Sequence, residues 1–364
     1  MKTARRASIF LLVAAFAGLL AFLSLSIVYR GFSNVTLVDI PRGAGALRVA
    51  AVLADTGVIR YRWQFLLARL FRPRDTIQAG EYKFERPASV WEVFERLAAG
   101  DVFYHELIVP EGYNLFDIAA SLERIGVFPA EEFLRAARDP SPIRDLAPEA
   151  RTLEGYLFPD TYRVTRHTSA DQLVLRMTDR FRKAWSELAA GAPVHETVTL
   201  ASLIEKEAAL AAERPLIASV FHNRLRIQMK LDCDPTAIYA ALLEGRYRGV
   251  VYKSDLESTH RYNTYQHAGL PPGPIASPGL DSLRAAIQPA NTSYLYFVAW
   301  PDSSGGHVFS FTLDQHQRAV LKYRRANHKE KQASRDQRVP RREPAATNRR
   351  GRVARTRQAA RTGV

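Results

Sequence analysis

At 364 residues, with 47% hydrophobic and 24% charged residues, the chain has room for two domains and enough apolar material for a core, which excludes a wholly disordered protein. Its one cysteine, Cys233, excludes an intramolecular disulfide and has no partners at zinc-ligand spacing; a small buried residue is its expected role. The net charge of +14 is unevenly spread: from Lys322 onward 15 Lys and Arg stand against 3 Asp and Glu, which leaves about +2 for the rest. The basic segment carries no recognition motif, so nucleic acid is not an expected partner.

Residues 1–7 carry Lys2, Arg5 and Arg6 ahead of an uncharged, apolar run from Ser8 to Tyr29. Those 22 residues are long enough for a transmembrane helix, and the flanking charges favour a cytoplasmic N-terminus with an exported body. A cleaved signal peptide is the alternative, but no small-x-small cleavage site follows. The expectation is a single-pass anchor over 8–29 in the inner, cytoplasmic membrane, with the exported body in the periplasm.

An internal repeat follows. Ile40-Pro41-Arg42-Gly43 through Ile59 aligns without a gap on Val109-Pro110-Glu111-Gly112 through Phe128, at a constant offset of 69. Each copy reads as a strand ending at proline, a glycine turn and an amphipathic helix closed by glycine. Between them 79–84 reads as a strand. Residues 89–99 read as a helix with Ser89 as N-cap and Gly100 as stop. The whole, 35–130, is expected to be a small α+β module and resembles LysM-like glycan-binding modules.

Residues 129–150 read as a polar, helical junction, and Leu153–Tyr162 as an ordered loop. Ala170–Leu188 is periodic as a helix, as is 197–212. In the latter Leu200, Leu203, Ile204, Ala208 and Ala211 form an apolar stripe, and Glu207 falls within it. A carboxylate on a buried face is costly unless paired or protonated, and burial raises its pKa, which suits a general acid. A helix-face salt bridge explains Glu207 as well. Glu205 is expected on the opposite, polar face with Ser202, Ala209 and Glu213. Pro215 opens the next helix, 216–225.

Asp232 to Pro278 is dense in polar and rigid residues. Asp234 is the expected N-cap of a helix through Tyr239 and Leu243. The segments Arg261–Tyr265 and Gly269–Gly279 combine Tyr and Asn with prolines that stiffen the loop. Tyr and Asn suit sugars, which have apolar ring faces and many hydroxyls; a plain capping loop is the bland alternative. Strands are expected over 294–299 and 308–311. His307 and His316 read as structural; no metal and no cofactor is expected. From residue 324 the chain lacks apolar periodicity, and 324–364 is expected to be a disordered basic tail.

The segments LEGYLFPDTY, ASLIEKEA, VFHNRL, DPTAIYA, YNTYQHAGLPPGPIASPG and GGHVFSF, in this order behind an apolar N-terminus, resemble the YceG-like (MltG) family of endolytic murein transglycosylases. The resemblance covers about residue 35 to Tyr323. It implies a catalytic domain over 150–323 that cleaves the β-1,4 bond between N-acetylmuramic acid and N-acetylglucosamine within peptidoglycan strands, without water, leaving 1,6-anhydro ends. It implies Glu207, the second Glu of EKE, as the catalytic acid. The family usually has a neutral polar residue before DPT, often after Gln; here the pair is Asp232-Cys233. Around Glu207 the expected contacts to glycan are Asn223, Asp234, Thr236, Tyr262, Asn263 and Tyr265, with Glu154 and Tyr156 as a further wall. Peptidoglycan synthases or division proteins are expected neighbours. A peptidoglycan hydrolase stays open, since Asp232, Asp234 and Glu154 are available as second carboxylates. So does a membrane-anchored scaffold that binds the wall without cutting it.

Overall fold

The sequence repeat extends into three dimensions. In the computed structural model, which describes residues 2–188, 191–302 and 304–338, helix α1 (Lys2–Ser24) precedes β1 (Thr36–Ile40), α2 (Ala46–Asp55), α3 (Arg62–Phe71), β2 (Gly80–Phe84) and α4 (Val90–Ala99). The β-α-α-β-α order then recurs as β3 (His105–Val109), α5 (Leu115–Arg124), α6 (Ala130–Ala137), β4 (Asp160–Val164) and α7 (Ala170–Leu188). β1 pairs antiparallel with β2, Val38 opposite Tyr82, and β3 pairs antiparallel with β4, Leu107 opposite Tyr162. Alternation sets the buried face: Val38 and Ile40 in one copy, Leu107 and Val109 in the other, are all buried. The turn after each leading strand needs a positive φ, 73° at Gly43 and 79° at Gly112, which favours glycine.

The local signals around α4 hold. Ser89 Oγ accepts from the Glu92 amide at 3.2 Å, and the Ser89 amide donates to the Glu92 carboxylate at 2.9 Å. Gly100 ends the helix at φ 70°. The β3–β4 pair was not legible locally. It joins residues 105–109 to 160–164, so the second copy of the repeat runs through the segment read as a junction.

The apolar N-terminal run is not one helix. α1 stops at Ser24, residues 25–27 turn, and Leu25 is fully buried in the core of the first copy with Val49, Leu53, Phe65 and Phe94. Among the described residues no helix is long and apolar enough to cross a membrane. The uncharged part of α1, from Ser8, spans about 25 Å at roughly 1.5 Å per residue, against a hydrocarbon core of about 30 Å.

A helical layer follows: α8 (Val194–Glu207), α9 (Arg214–Arg226), α10 (Asp234–Leu243), the single turn α11 (Lys253–Leu256) and α12 (Leu280–Ile287). α8 packs against α9, α10 and α12, which is why every residue from Thr197 to Ile204 is buried. Pro215 sits in the first turn of α9, where its missing N–H costs nothing.

The chain divides into two compact units at Leu295/Tyr296. The second contains β5 (Tyr296–Ala299) and β6 (His307–Ser310), an antiparallel pair with Phe297 opposite Phe309, and α13 (Leu313–Arg338), which packs on both strands. His316 stacks on Tyr296 at 5.2 Å. α13 continues through 324–338, assigned from sequence to a disordered tail. No proline interrupts it, and Ala, Arg, Lys and Gln are good helix formers. The rest of that tail, 339–364, lies outside the described residues. The mixed helix and sheet content is that of an α+β protein.

Candidate active site

Glu207 is the last residue of α8. The helix does not reach 212: Ala208 is extended (φ −83°, ψ 106°), and its amide closes the last turn on the Ile204 carbonyl at 2.9 Å. Glu207 is therefore half-buried at a helix end instead of lying within an apolar stripe. Ala208 and Ala211, two members of the expected stripe, belong to the turn that leads into α9. The Cys233 thiol donates to Glu207 Oε1 at 3.1 Å. Burial, then the charge of Glu207, raises the Cys233 pKa well above its ordinary value. The sulfur therefore stays a neutral thiol, a weak donor aimed at the carboxylate.

Glu205 departs furthest from expectation. Its side chain is 5% exposed and is not on a polar face. It accepts from Arg214 at 3.0 Å and from the Gly279 amide at 2.9 Å. Arg214 also reaches Ser282 Oγ at 3.0 Å and Glu111 at 3.3 Å. An interior helix is covered all round, so the side opposite the core stripe is the contact with α9 and α12. Of the two glutamates of the EKE motif, Glu205 is the salt bridge that binds helices together.

Cys233 is aimed by its neighbours. Asp232 adopts a left-handed conformation (φ 48°) that Asp tolerates better than most residues. The Cys233 amide donates to Thr264 Oγ1 at 3.1 Å, and the Thr264 and Thr236 hydroxyls meet at 2.9 Å. Asp234 is not the N-cap: α10 begins on it, Cys233 is the cap residue, and the Thr236 hydroxyl donates to the Cys233 carbonyl at 2.6 Å. The exposed Asp234 carboxylate instead accepts from the Tyr265 hydroxyl at 2.6 Å. Burial and Asp234 push the Tyr265 phenol up, so it remains a donor.

The other sequence candidates divide by burial. Asn263 is fully buried, and its amide donates to the carbonyls of Asp255, Leu256 and Ser258. Asn223, also buried, donates to the carbonyls of Thr292 and Tyr294, and Thr236 is buried. These three side chains hold loops in place. Tyr262 is partly buried against Tyr239, 5.1 Å between rings, and its phenol is raised to about 12 by burial and then by the charge of Glu154.

Glu154 and Tyr156 are interior groups in place of a groove wall. Tyr156 is fully buried, and its hydroxyl meets His195 Nδ1 at 2.7 Å, while His195 Nε2 lies 3.0 Å from the Pro272 carbonyl. His195, absent from the sequence candidates, thus ties the start of α8 to the proline-rich loop. Glu154 is 1% exposed; its Oε2 accepts from the Leu115 amide at 3.0 Å and the Tyr239 hydroxyl at 2.9 Å, while Oε1 has no partner. Burial outweighs those donors and lifts the Glu154 carboxyl to about 7.

The second copy of the repeat supplies the remaining side. The Gly112 amide bonds the Ser277 carbonyl at 2.9 Å, the Ser277 amide bonds the Tyr113 carbonyl at 2.7 Å, and Lys206 Nζ reaches the Gly112 carbonyl at 3.2 Å. Its Pro110–Gly112 turn is therefore docked on the end of α8. A separate cavity of about 780 Å³ lies beside β2, α4 and β3, lined by charged side chains such as Lys83, Glu92 and Arg96, and includes no residue around Glu207. Among the described residues no group of three or more His, Cys, Asp and Glu side chains is arranged to hold a metal ion.

The YceG-like family matches residues 38–322. The chain belongs to the YceG-like family. It is 34% identical over 307 residues to the endolytic murein transglycosylase of Bacillus subtilis (strain 168), covering 79% of this chain and 84% of that protein. An endolytic murein transglycosylase of Streptococcus pneumoniae (strain D39) is 29% identical over 323 residues, a match spanning 58% of that longer protein. A YceG-like protein of Listeria monocytogenes, known from a crystal structure, is 32% identical and superimposes with a TM-score of 0.51 over 79% of this chain and 99% of its own.

Proposed function

We propose that this YceG-like chain is an endolytic murein transglycosylase, a lyase that cuts peptidoglycan glycan strands internally and so limits their length. The bond broken is the β-1,4 link from N-acetylmuramic acid to N-acetylglucosamine, and the new end is 1,6-anhydro-N-acetylmuramic acid. The observation that carries the reading is the pair of acids two residues apart on α8. Glu205 is paired with Arg214, and Glu207, the last residue of the helix, takes the Cys233 thiol on one oxygen. One carboxyl then serves twice: protonated Glu207 gives its proton to the leaving glycosidic oxygen, and the carboxylate takes the C6 hydroxyl proton as that oxygen attacks C1. In this reading Asp234, exposed, and Tyr265, half-buried and bonded to it, hold sugar hydroxyls.

Product analysis by mass spectrometry tests this. The intact chain should release anhydro-ended fragments from peptidoglycan, and Glu207→Gln should release at most a trace while keeping its fold. Reducing ends would assign a hydrolase with Asp234 as second carboxylate; uncut glycan would assign a scaffold.

Membrane attachment belongs to the same reading. Supporting it are the exposed apolar residues of α1, among them Phe10 at 74% and Phe16 at 62%, and the basic residues ahead of them. The first copy of the repeat serves as a LysM-like glycan-binding element or as a spacer. Loss of glycan binding on deleting 35–99 would favour the former.

A further inference from the structure

α3 buries one apolar side in the core and leaves Trp63, Leu70 and Phe71 exposed. Phe65 and Ala68 are buried. Trp63 and Leu70, at i and i+7, share another side on which Trp63 is 45% and Leu70 73% exposed, while Leu67 between them packs partly against the core; Phe71, next to Leu70, is 54% exposed. Over residues 60–74 the sequence holds five arginines and no acid. Arg60 lies over the Tyr61 ring at 5.1 Å and Arg72 over Trp91 at 5.7 Å. Arg62 pairs with Asp55, and Arg72 with Glu95 and Asp75, but these pairs are solvent-exposed and weak. The patch also continues α1. Phe22 meets Phe71 edge to face at 5.1 Å and Trp91 at 6.0 Å, and the Gln64 amide reaches the Ser24 carbonyl at 3.4 Å.

We propose that this outer face of α3 is a docking surface for an anionic lipid bilayer, seated in the headgroup layer beside the last turn of α1. An amphipathic helix with aromatic residues on one side and arginines along its edges has the composition of an interfacial element. Arginine stems lie along apolar surface while their heads reach phosphate. A second copy of this chain is a poor occupant, since the patch would meet arginines with arginines. The short uncharged length of α1 gives the surface a role: it adds apolar and cationic contact where the helix alone falls short of the membrane's thickness.

The inference rests on α1 lying in lipid, and one experiment separates the two. The full chain is reconstituted in phosphatidylcholine vesicles containing phosphatidylglycerol, with a nitroxide on Phe16→Cys, Leu70→Cys or Ile108→Cys in turn; Cys233 is buried and not labelled. Relaxation by oxygen reports lipid, and relaxation by a nickel chelate reports water. Labels at 16 and 70 should favour oxygen, and the label at 108, on an exposed position of β3, should favour the chelate. An aqueous label at 16 overturns the anchor and this surface together. A lipid signal at 16 with an aqueous signal at 70 overturns this surface alone. Shielding at 70 that disappears as the chain is diluted in lipid would assign the face to a second copy and also overturns it. In an Arg60→Gln/Arg74→Gln chain, the label at 70 should lose its oxygen preference to the level seen in pure phosphatidylcholine; an unchanged preference overturns the anionic requirement.

Discussion

The two copies of the β-α-α-β-α repeat share a backbone plan but meet different surroundings. In the first, a Cβ on the Gly43 turn would meet nothing within 4 Å; in the second, the Gly112 turn lies against Glu205 and Lys206 of α8 and bonds the loop at Ser277. Each copy also buries one carboxylate. Glu81 in the first is 4% exposed and paired with Arg166 at 2.9 Å, whereas Glu154 in the second is held by neutral donors alone. A duplicated scaffold can thus be neutral in one place and part of a site in another, depending on what packs against its turns.

The sharpest separation should appear in catalysis. Glu207→Gln should lower anhydro-product formation by roughly 10²–10⁴-fold, while Gly43→Ala in the first copy should leave the specific activity of the folded chain unchanged. A first-copy change that matched Glu207→Gln in assays of product release would break the comparison.

Next comes the pH dependence of stability. The folded-state carboxyl of Glu154 titrates near 7 instead of its ordinary 4.5. Below 4.5 both folded and unfolded chains hold this proton, and no penalty exists. As pH rises from 4.5 to 7 the unfolded chain releases it first, so stability falls, by about 3 kcal/mol in all at about 1.4 kcal/mol per unit. Denaturant melts between pH 4.5 and 8 should therefore show a steeper decline for the native chain than for Glu154→Gln. Parallel profiles would mean that Glu154 is not kept protonated by burial.

Removing the Tyr265 hydroxyl should act on substrate handling alone. Tyr265→Phe should lower kcat/KM roughly tenfold, the scale of one hydrogen bond to a charged group, without moving the melting temperature. The smallest effect is the direct one. Alanine at Gly43 or at Gly112 should cost about 1 kcal/mol in each case for its left-handed backbone. Only Gly112→Ala should also reduce activity, by a few-fold, because its turn rests on the helix that ends in Glu207. Equal activities would mean that the two turns are interchangeable.

What the sequence made legible is what proline, glycine and caps punctuate. The 69-residue repeat, the Ser89 and Gly100 ends of α4 and the span of α7 all follow from residues adjacent in the chain. The β3–β4 pairing did not, because its partners lie some fifty residues apart and neither strand carries a signal for the other. The EKE helix shows the limit best. Periodicity drew attention to Glu207, but the helix stops there, and the same periodicity put Glu205 on a solvent face that α9 and α12 cover. Side-chain chemistry misled in a similar way at Asn223 and Asn263. The amides that suit a sugar also satisfy buried carbonyls, and only the fold decides between those uses.

Leu25 has a mechanical consequence. It is the first residue past α1 and lies at 0% exposure in the first copy's core, with the Trp91 amide bonded to its carbonyl at 3.3 Å. A helix joined through a loose linker would be a leash, leaving the body to swivel. A helix whose final turn is packed into a domain is a bracket, and whatever fixes its tilt fixes the bearing of the first copy with it. Inserting a few glycines after Ser24 would turn the bracket back into a leash.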